Sequence, residues 1–356
     1  MAYLRNTWYV AAWDEEVKAG QLFNRQLLDE QVVFFRDDSG QVRALADRCP
    51  HRFAPLSKGT QCGNAVRCAY HGLEFDGDGH CSRNPHGNGA IPKAARVRSY
   101  PVVEKFSLIW IWMGDAAQAE QALIPDFSCM DPQRSYVAKR YLHACANYVL
   151  ESDNILDLSH IQYLHPSTLG SDDVSGAITR VEQVGSTVWS YRQTVNEIMP
   201  AFLYDAMGIP ANTPVDRWID VRWDAPASLL LFAGAVPTGR PRSEGRETPL
   251  PHLFTPQTAT STHYWFAFPM PVEMGESGQQ IAEQQASALA VPFTLEDLPM
   301  LEAQQQSMGD NDFWALKPVL LAGDAGAIRA RRVLDGLIAQ EQEAAMAPQP
   351  GVVEGA

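Results

Sequence analysis

The chain has 356 residues, 46% of them hydrophobic, and a net charge of -14. That length exceeds one ordinary hydrophobic core and supplies material for two. The negative balance argues against nucleic acid as a partner, and no apolar run approaches the ~20 residues of a membrane span. The opening Met-Ala-Tyr-Leu-Arg-Asn lacks the apolar core of a secretory signal, which implies a cytoplasmic protein.

Residues 1–115 predict short strands punctuated by turns. Gln31–Arg36, Val42–Ala46 and Leu108–Trp112 are rich in β-branched and aromatic residues and read as strands. Between the second and third of these lie Cys49-Pro-His51 and Cys68-Ala-Tyr-His71. The first loop, Cys49–Pro55, flanks His51 with prolines; the second, Cys68–Gly72, ends on a glycine that can take a positive φ. Gly63-Asn64 and Asp76-Gly77-Asp78-Gly79 signal hairpin turns, so two hairpin tips can face each other. A Pro/Gly-rich loop, Asn84–Gly89, is placed to lie over them.

Each of the two loops carries one Cys and one His. That mixed quartet describes a Rieske [2Fe–2S] centre, in which two thiolates hold one iron and two imidazoles the other. Neutral nitrogen ligands carry less negative charge than thiolates, so such a cluster accepts an electron readily, and the chain is expected to move single electrons. A structural zinc site is the competing reading, but zinc signals usually keep the Cys pair and the His pair as separate units. Paired thiols also suit a reducing compartment, where they tend to be metal sites rather than disulfides. Cys62, Cys81, Cys129 and Cys145 lack such a pattern and read as small buried residues.

Asp115–Ala122 is linker-like, and a second domain is expected over residues 116–344. Its first helix contains Asn154, Asp157 and His160 at three-residue spacing on one face, with His165 where a helix should end before Pro166. Both imidazoles converge on one metal only if the last turn unwinds. Two histidines and a carboxylate on one face of Fe(II) would leave positions open for O₂ and substrate. Ile178–Asn196, Asp220–Ala235 and Thr260–Met270 read as strands of an antiparallel sheet. Gln279–Ala290 and Thr294–Ser307 read as helices separated at Pro292, and residues 345–356 as a disordered tail.

The paired Cys-x-His and Cys-x2-His loops, followed by Asn-x2-Asp-x2-His-x4-His, resemble the oxygenase component of Rieske non-haem iron oxygenases. Asn6–Ala12, Cys49–Leu56, Tyr70–Phe75, Asn84–Gly89 and Trp110–Trp112 resemble the branch containing vanillate and dicamba O-demethylases and toluenesulfonate methyl-monooxygenase. The resemblance implies an α+β chain: an N-terminal all-β Rieske domain, then a helix-grip domain in which a curved antiparallel sheet grips a long helix. It implies Cys49 and Cys68 on the buried iron of the cluster, His51 and His71 on the outer iron, and His160 and His165 on a mononuclear iron. The third ligand would be Asp297, with Glu296 as the alternative, although Thr294-Leu-Glu-Asp297 also reads as a capping box. Asp157 would bridge a cluster histidine of one subunit to an iron histidine of the next, which makes the expected assembly a homotrimer.

The resemblance further implies O₂ as co-substrate and electrons from NAD(P)H through a ferredoxin or reductase. NAD(P)H itself is not expected to bind, since no G-x-G-x-x-G follows a strand. Residues 43–98 hold nine Lys/Arg against four Asp/Glu, a local +5 that leaves -19 elsewhere and suits an acidic electron donor. Ser228–Ala235 is apolar, with Leu231 at an expected pocket position and His252 as the nearest polar candidate for substrate contact. Such a pocket fits an aromatic ring bearing a methoxy, N-alkyl or methyl group. Ring cis-dihydroxylation and a plain electron carrier with a binding module are the alternatives; the second constellation speaks against the carrier.

Overall fold

The computed structural model describes residues 2–346. The first part is all-β: β1 (Trp8–Trp13), β2 (Phe23–Leu27), β3 (Glu30–Arg36), β4 (Val42–Ala46), β5 (Thr60–Cys62), β6 (Ala65–Arg67), β7 (Glu74–Asp76), β8 (Cys81–Arg83), β9 (Ser99–Tyr100), β10 (Val102–Lys105) and β11 (Leu108–Trp112). They form three antiparallel sheets, ordered β2-β3-β4-β9, β5-β6-β7-β8 and β1-β11-β10. Val33, Phe35, Leu45, Leu56, Val66 and Phe75 pack into one core that also encloses Cys49 and Cys68. Each such apolar side chain contributes about 1.5–3 kcal/mol on burial, so the two thiols sit within a well-buried core.

The second part is built on one seven-stranded antiparallel sheet. Its strands are β12 (Ser135–Ala144), β13 (Ile178–Val184), β14 (Thr187–Glu197), β15 (Val215–Asp224), β16 (Ser228–Pro237), β17 (Arg246–Thr258) and β18 (Ser261–Pro271), in the order β12-β18-β17-β16-β15-β14-β13. Side chains alternate between its faces, as the two-residue repeat of a strand requires. Leu229, Leu231, Leu250, Phe254, Tyr264 and Phe266 face α1 (Tyr148–Leu156), α4 (Gly275–Pro292) and α6 (Ala325–Met346). Leu230, Leu253, Trp265 and Ala267 face Trp8, Trp110 and Trp112 of the first part. With both faces covered, β16 carries no polar/apolar alternation, which is why its sequence is a continuous apolar run.

Ile178–Asn196 resolves as a hairpin turning at Gly185, and Asp220–Ala235 as the end of β15 and the start of β16. The sequence reading lacked β12 and β17. Pro249, Pro251 and Pro256 disguise β17, which is nonetheless flanked by β16 and β18. Pro249 and Pro251 precede His252, where pairing with β18 begins, and Pro256 borders a bulge, so β17 tolerates the missing N–H groups.

Further expectations are corrected. The helix expected through His160 breaks at Asp157 (φ -115, ψ 93), continues as a 3-10 turn over Leu158–His160, and then as α2 (Ile161–Leu164). Pro292 does not separate two helices: α4 runs through it into a π-helical turn, Phe293–Asp297, and on into α5 (Leu298–Met308). Asp297 is therefore inside a continuous helix and makes no cap hydrogen bond. Residues 345 and 346 belong to α6, and the rest of the expected tail lies outside the described residues. Of the four cysteines expected to be buried, Cys81 is, Cys62 and Cys129 are half-buried, and Cys145 is exposed. Cys145 follows the end of β12, and its backbone N–H donates to Glu302 on α5.

Candidate metal centres

Cys49 and Cys68 each open a loop closed by the same two hydrogen bonds. The Cys49 N–H donates to the Ala54 carbonyl at 2.9 Å, and the Phe53 N–H donates to the Cys49 carbonyl at 2.9 Å. The Cys68 N–H donates to the Leu73 carbonyl at 2.8 Å, and the Gly72 N–H donates to the Cys68 carbonyl at 3.0 Å. The fifth residue of each loop is left-handed: Gly72 at φ 74 and, in the first loop, Phe53 at φ 59. Glycine adopts that conformation freely and phenylalanine does not. Matching loops bring the His51 and His71 ring centroids to 4.4 Å.

The thiols are buried while His51 is exposed. Burial pushes Cys49 up to about 11; backbone N–H groups of His51 and Arg52 pull the other way, and the Cys68 thiol adds to the rise. A Cys49 thiol that ionises so unfavourably alone, with amide N–H groups directed at it, suits a site where a cation stabilises the thiolate. Limited burial and the neighbouring His51 and His86 lower the proton affinity of His71, as a neutral nitrogen ligand requires. The Asn84–Gly89 loop lies against the second cluster loop. His86 Nε2 donates to the His71 carbonyl at 2.7 Å, and Pro85 packs beside Gly72.

In the second domain His160, His165 and Asp297 converge, with one ligating atom from each within 4.8 Å of the others. His165 Nε2 lies 3.1 Å and His160 Nε2 3.5 Å from the same Asp297 Oδ1. The chain break at Asp157 and the α2 turn fold the two histidines to a 5.3 Å ring separation. The π-turn sets Asp297 opposite them, a helical irregularity found mostly at functional sites.

The other imidazole nitrogens are engaged. His160 Nδ1 donates to the Asp157 backbone carbonyl at 2.7 Å, and His165 Nδ1 donates to Glu296 Oε2 at 2.5 Å. Thr168 donates to the same Glu296 oxygen, and Asn154 Nδ2 donates to Asp297 Oδ1 at 3.0 Å. Protons on both Nδ1 atoms leave both Nε2 lone pairs free to face Asp297, the tautomer a shared metal needs. Burial pulls both imidazoles toward neutrality; for His165 the Asp297 and Glu296 carboxylates outweigh it and raise its pKa. Two neutral nitrogens and one carboxylate on one side of a shared point match the facial donor set of non-haem Fe(II).

Glu296 is turned to the Nδ1 side of His165 and lies outside this group. The Asp157 carboxylate meets Ser159 and Arg192 rather than His160. Leu231 is buried on the sheet face that also carries His252, two residues along from the Leu229–His252 pair. His252 is held neutral by burial, its pKa lowered to about 3, and its Nδ1 accepts from Tyr264 Oη at 2.7 Å. Its ring packs 5.6 Å from Phe293, in the same turn as Asp297. The supporting roles of Glu296, Thr168 and Ser159 had no sequence signal beyond proximity to the ligands.

An all-β domain carrying the Cys/His loops, joined to a sheet-and-helix domain carrying a two-His-one-carboxylate group, defines a Rieske-type oxygenase, an oxidoreductase. Residues 7–101 match the Rieske [2Fe-2S] domain, and residues 144–340 match the vanillate O-demethylase oxygenase C-terminal domain, so the chain belongs to that family. Its cofactors are a Rieske [2Fe-2S] cluster and a mononuclear non-haem iron. The chain is 39% identical to the oxygenase component of dicamba O-demethylase from Stenotrophomonas maltophilia, over 95% of this chain and 98% of that one. It is 37% identical to the oxygenase component of chloroacetanilide N-alkylformylase from Rhizorhabdus wittichii, over 95% and 97%. The crystal structure of dicamba monooxygenase bound to 3,6-dichlorosalicylic acid superposes with a TM-score of 0.88 at 35% identity, covering 96% of this chain and 99% of that one.

Proposed function

We propose that this chain is the oxygenase component of a multicomponent monooxygenase that removes or hydroxylates an alkyl group on an aromatic compound. The convergence of His160, His165 and Asp297 carries this reading, because an electron carrier has no use for a second, open donor set. The relatives add the substrate class: dicamba, vanillate, chloroacetanilide and toluene-4-sulfonate are named for them. The balanced reaction for a methoxy substrate takes Ar–O–CH₃, O₂, two electrons and two protons to Ar–O–CH₂OH and water. The hemiacetal then breaks its O–CH₂ bond, returning the phenol and formaldehyde.

In this reading residues 1–115 are the cluster domain, with Cys49, Cys68, His51 and His71 as ligands, and residues 116–344 are the catalytic domain. When bound, the two cofactors supply single electrons and O₂ activation. Glu296 and the Asp157 carbonyl hold the two Nδ1 protons and so fix the imidazoles, while Asn154 orients Asp297. Phe266, Phe293 and Tyr264 wall off water beside Asp297, and neutral His252 offers its Nε2–H to a polar substituent of the ring, with Leu231 as apolar wall.

Asp157 is the residue through which electrons pass between subunits, in a cytoplasmic homotrimer. Supporting that assembly, apolar side chains lie exposed at both ends of the implied contact: Phe53 and Tyr70 in the cluster loops, and Val319 and Leu321 in the segment leading to Gly323, which packs on Asp157. The exposed Arg48, Arg52 and Lys58 suit an acidic ferredoxin or reductase. The test is product analysis with purified chain, a reductase and methoxy- or N-alkyl-aromatics. Formaldehyde in step with NAD(P)H consumption supports dealkylation; a ring diol without formaldehyde would reassign the chain to dihydroxylation.

A further inference from the structure

Asp157 is held by more than its own turn. Its Oδ1 accepts from the Ser159 N–H at 2.9 Å and its Oδ2 from the Ser159 hydroxyl at 3.0 Å, the local clasp expected of an aspartate that opens a helical turn. A third group reaches it from across the fold. Arg192, on β14, extends along an apolar wall of Leu156, Leu158, Ile219 and Val221 and brings a guanidinium nitrogen to 3.7 Å from Asp157 Oδ1. Another of its nitrogens donates to the Val174 carbonyl at 3.0 Å. The Arg192 side chain is only 12% exposed, and Asp157 is its one carboxylate partner among the described residues.

A cation in that setting is expensive to keep. Burial lowers the Arg192 pKa, and the Asp157 carboxylate offsets the effect only in part. A hydrophobic side chain of the same length would pack against this wall without a desolvation penalty. The fold therefore holds a buried charge where stability alone would not put one, aimed at a carboxylate that is itself 22% exposed. Close against that carboxylate the chain passes as Gly323, where a Cβ would come within 2.9 Å of Asp157 Oδ1 and 3.3 Å of Oδ2. Asp157 is thus held by Ser159 and Arg192, with Gly323 packed so close that only a residue without a Cβ fits beside the carboxylate.

We propose that Arg192 is a positioning residue for electron transfer: it fixes the Asp157 carboxylate in the orientation from which it can accept a hydrogen bond from a cluster histidine of a neighbouring protomer. The inference rests on the bridging role proposed above for Asp157. With Arg192 gone, the Ser159 clasp holds the carboxylate without its charge partner, and the bridging orientation is populated only part of the time. A purely structural Arg192 would instead tie down the 172–176 turn through the Val174 carbonyl and affect nothing at the cluster.

The test compares wild type, Arg192→Met, Arg192→Lys and Asp157→Asn as holoenzymes matched for iron and sulfide content. The readouts are kcat, KM and the midpoint potential of the cluster. A hydrogen bond from a ligand imidazole to a carboxylate adds electron density to the cluster, so its loss raises the potential. Arg192→Met is expected to lower kcat about tenfold with KM unchanged and to raise the potential in the same direction as Asp157→Asn, with Arg192→Lys in between. An unchanged potential in Arg192→Met, beside a raised one in Asp157→Asn, overturns the inference while leaving the Asp157 bridge intact. If Asp157→Asn itself leaves potential and turnover unchanged, the bridge fails, and the Arg192 role with it.

Discussion

The two metal centres are built on opposite principles. The ligands proposed for the cluster come from two loops 19 residues apart, each closed by its own short hydrogen bonds around Cys49 or Cys68, so its geometry is nearly local. The proposed mononuclear site draws His160 and His165 from a broken helix and Asp297 from a π-turn more than 130 residues later. Its geometry exists only when α1, α2 and the long α4–α5 helix are packed on the sheet. A local site can form early and tolerate distant change, whereas a long-range site reports on the packing of the whole domain.

Substitution should separate the two centres. Asp297→Asn is expected to abolish mononuclear iron binding and reduce turnover at least about 1000-fold, with cluster absorbance and sulfide retained. Loss of the cluster as well would mean that the two sites are not independent. Glu296→Gln removes the acceptor that holds His165 Nδ1, and iron affinity should fall roughly 10- to 100-fold by competition with a chelator. Unchanged affinity would show that the ring is held by packing alone.

Glu151 sharpens the same contrast, since it is a buried carboxyl on the helix that leads to the iron ligands. Burial, then the charges of Asp297 and Glu302, push its pKa up to about 8, and one of its oxygens lacks a partner. Below pH 4.5 both folded and unfolded forms carry the proton. Between there and pH 8 only the folded form does, so the folded chain binds more protons and its stability falls as pH rises through that window. The loss is on the order of 3–5 kcal/mol. Thermal unfolding of Glu151→Gln should flatten this slope, and an unaltered slope would mean the carboxyl is already paired or hydrated.

The smallest expected effect lies in the cluster domain. Phe53 occupies the left-handed position that Gly72 fills in the sister loop. Phe53→Gly should relieve backbone strain, offset partly by the freedom glycine gains in the unfolded chain, for a net gain of about 0.5–1 kcal/mol. Denaturant midpoints would measure it, and a loss of stability would mean the exposed ring packs on its surroundings more than its 69% exposure indicates.

The same division explains what could be read from the amino-acid sequence. The cluster loops were legible because the four proposed ligands sit in short segments with glycine and proline at fixed offsets. His160 and His165 were legible as a pair, but the helix breaks at Asp157, before His160, and the turn between the two histidines stays helical until His165. The π-turn was not legible: Thr294-Leu-Glu-Asp297 has the residue types of a helix start, and only packing against the sheet carries α4 through Pro292. β17 was hidden by prolines whose tolerance depends on where β18 begins to pair. Arg192 carries no local signal, since its meaning comes from residue 157 reaching it across the fold.

The most direct test of two metal centres in one chain is metal and acid-labile sulfide content, with EPR spectra before and after dithionite, on anaerobically purified protein. The account expects about three irons and two sulfides per chain, falling to about two irons with sulfide unchanged in Asp297→Asn, and a reduced signal of average g below 2. Zinc without sulfide, or two irons in both proteins, would contradict it.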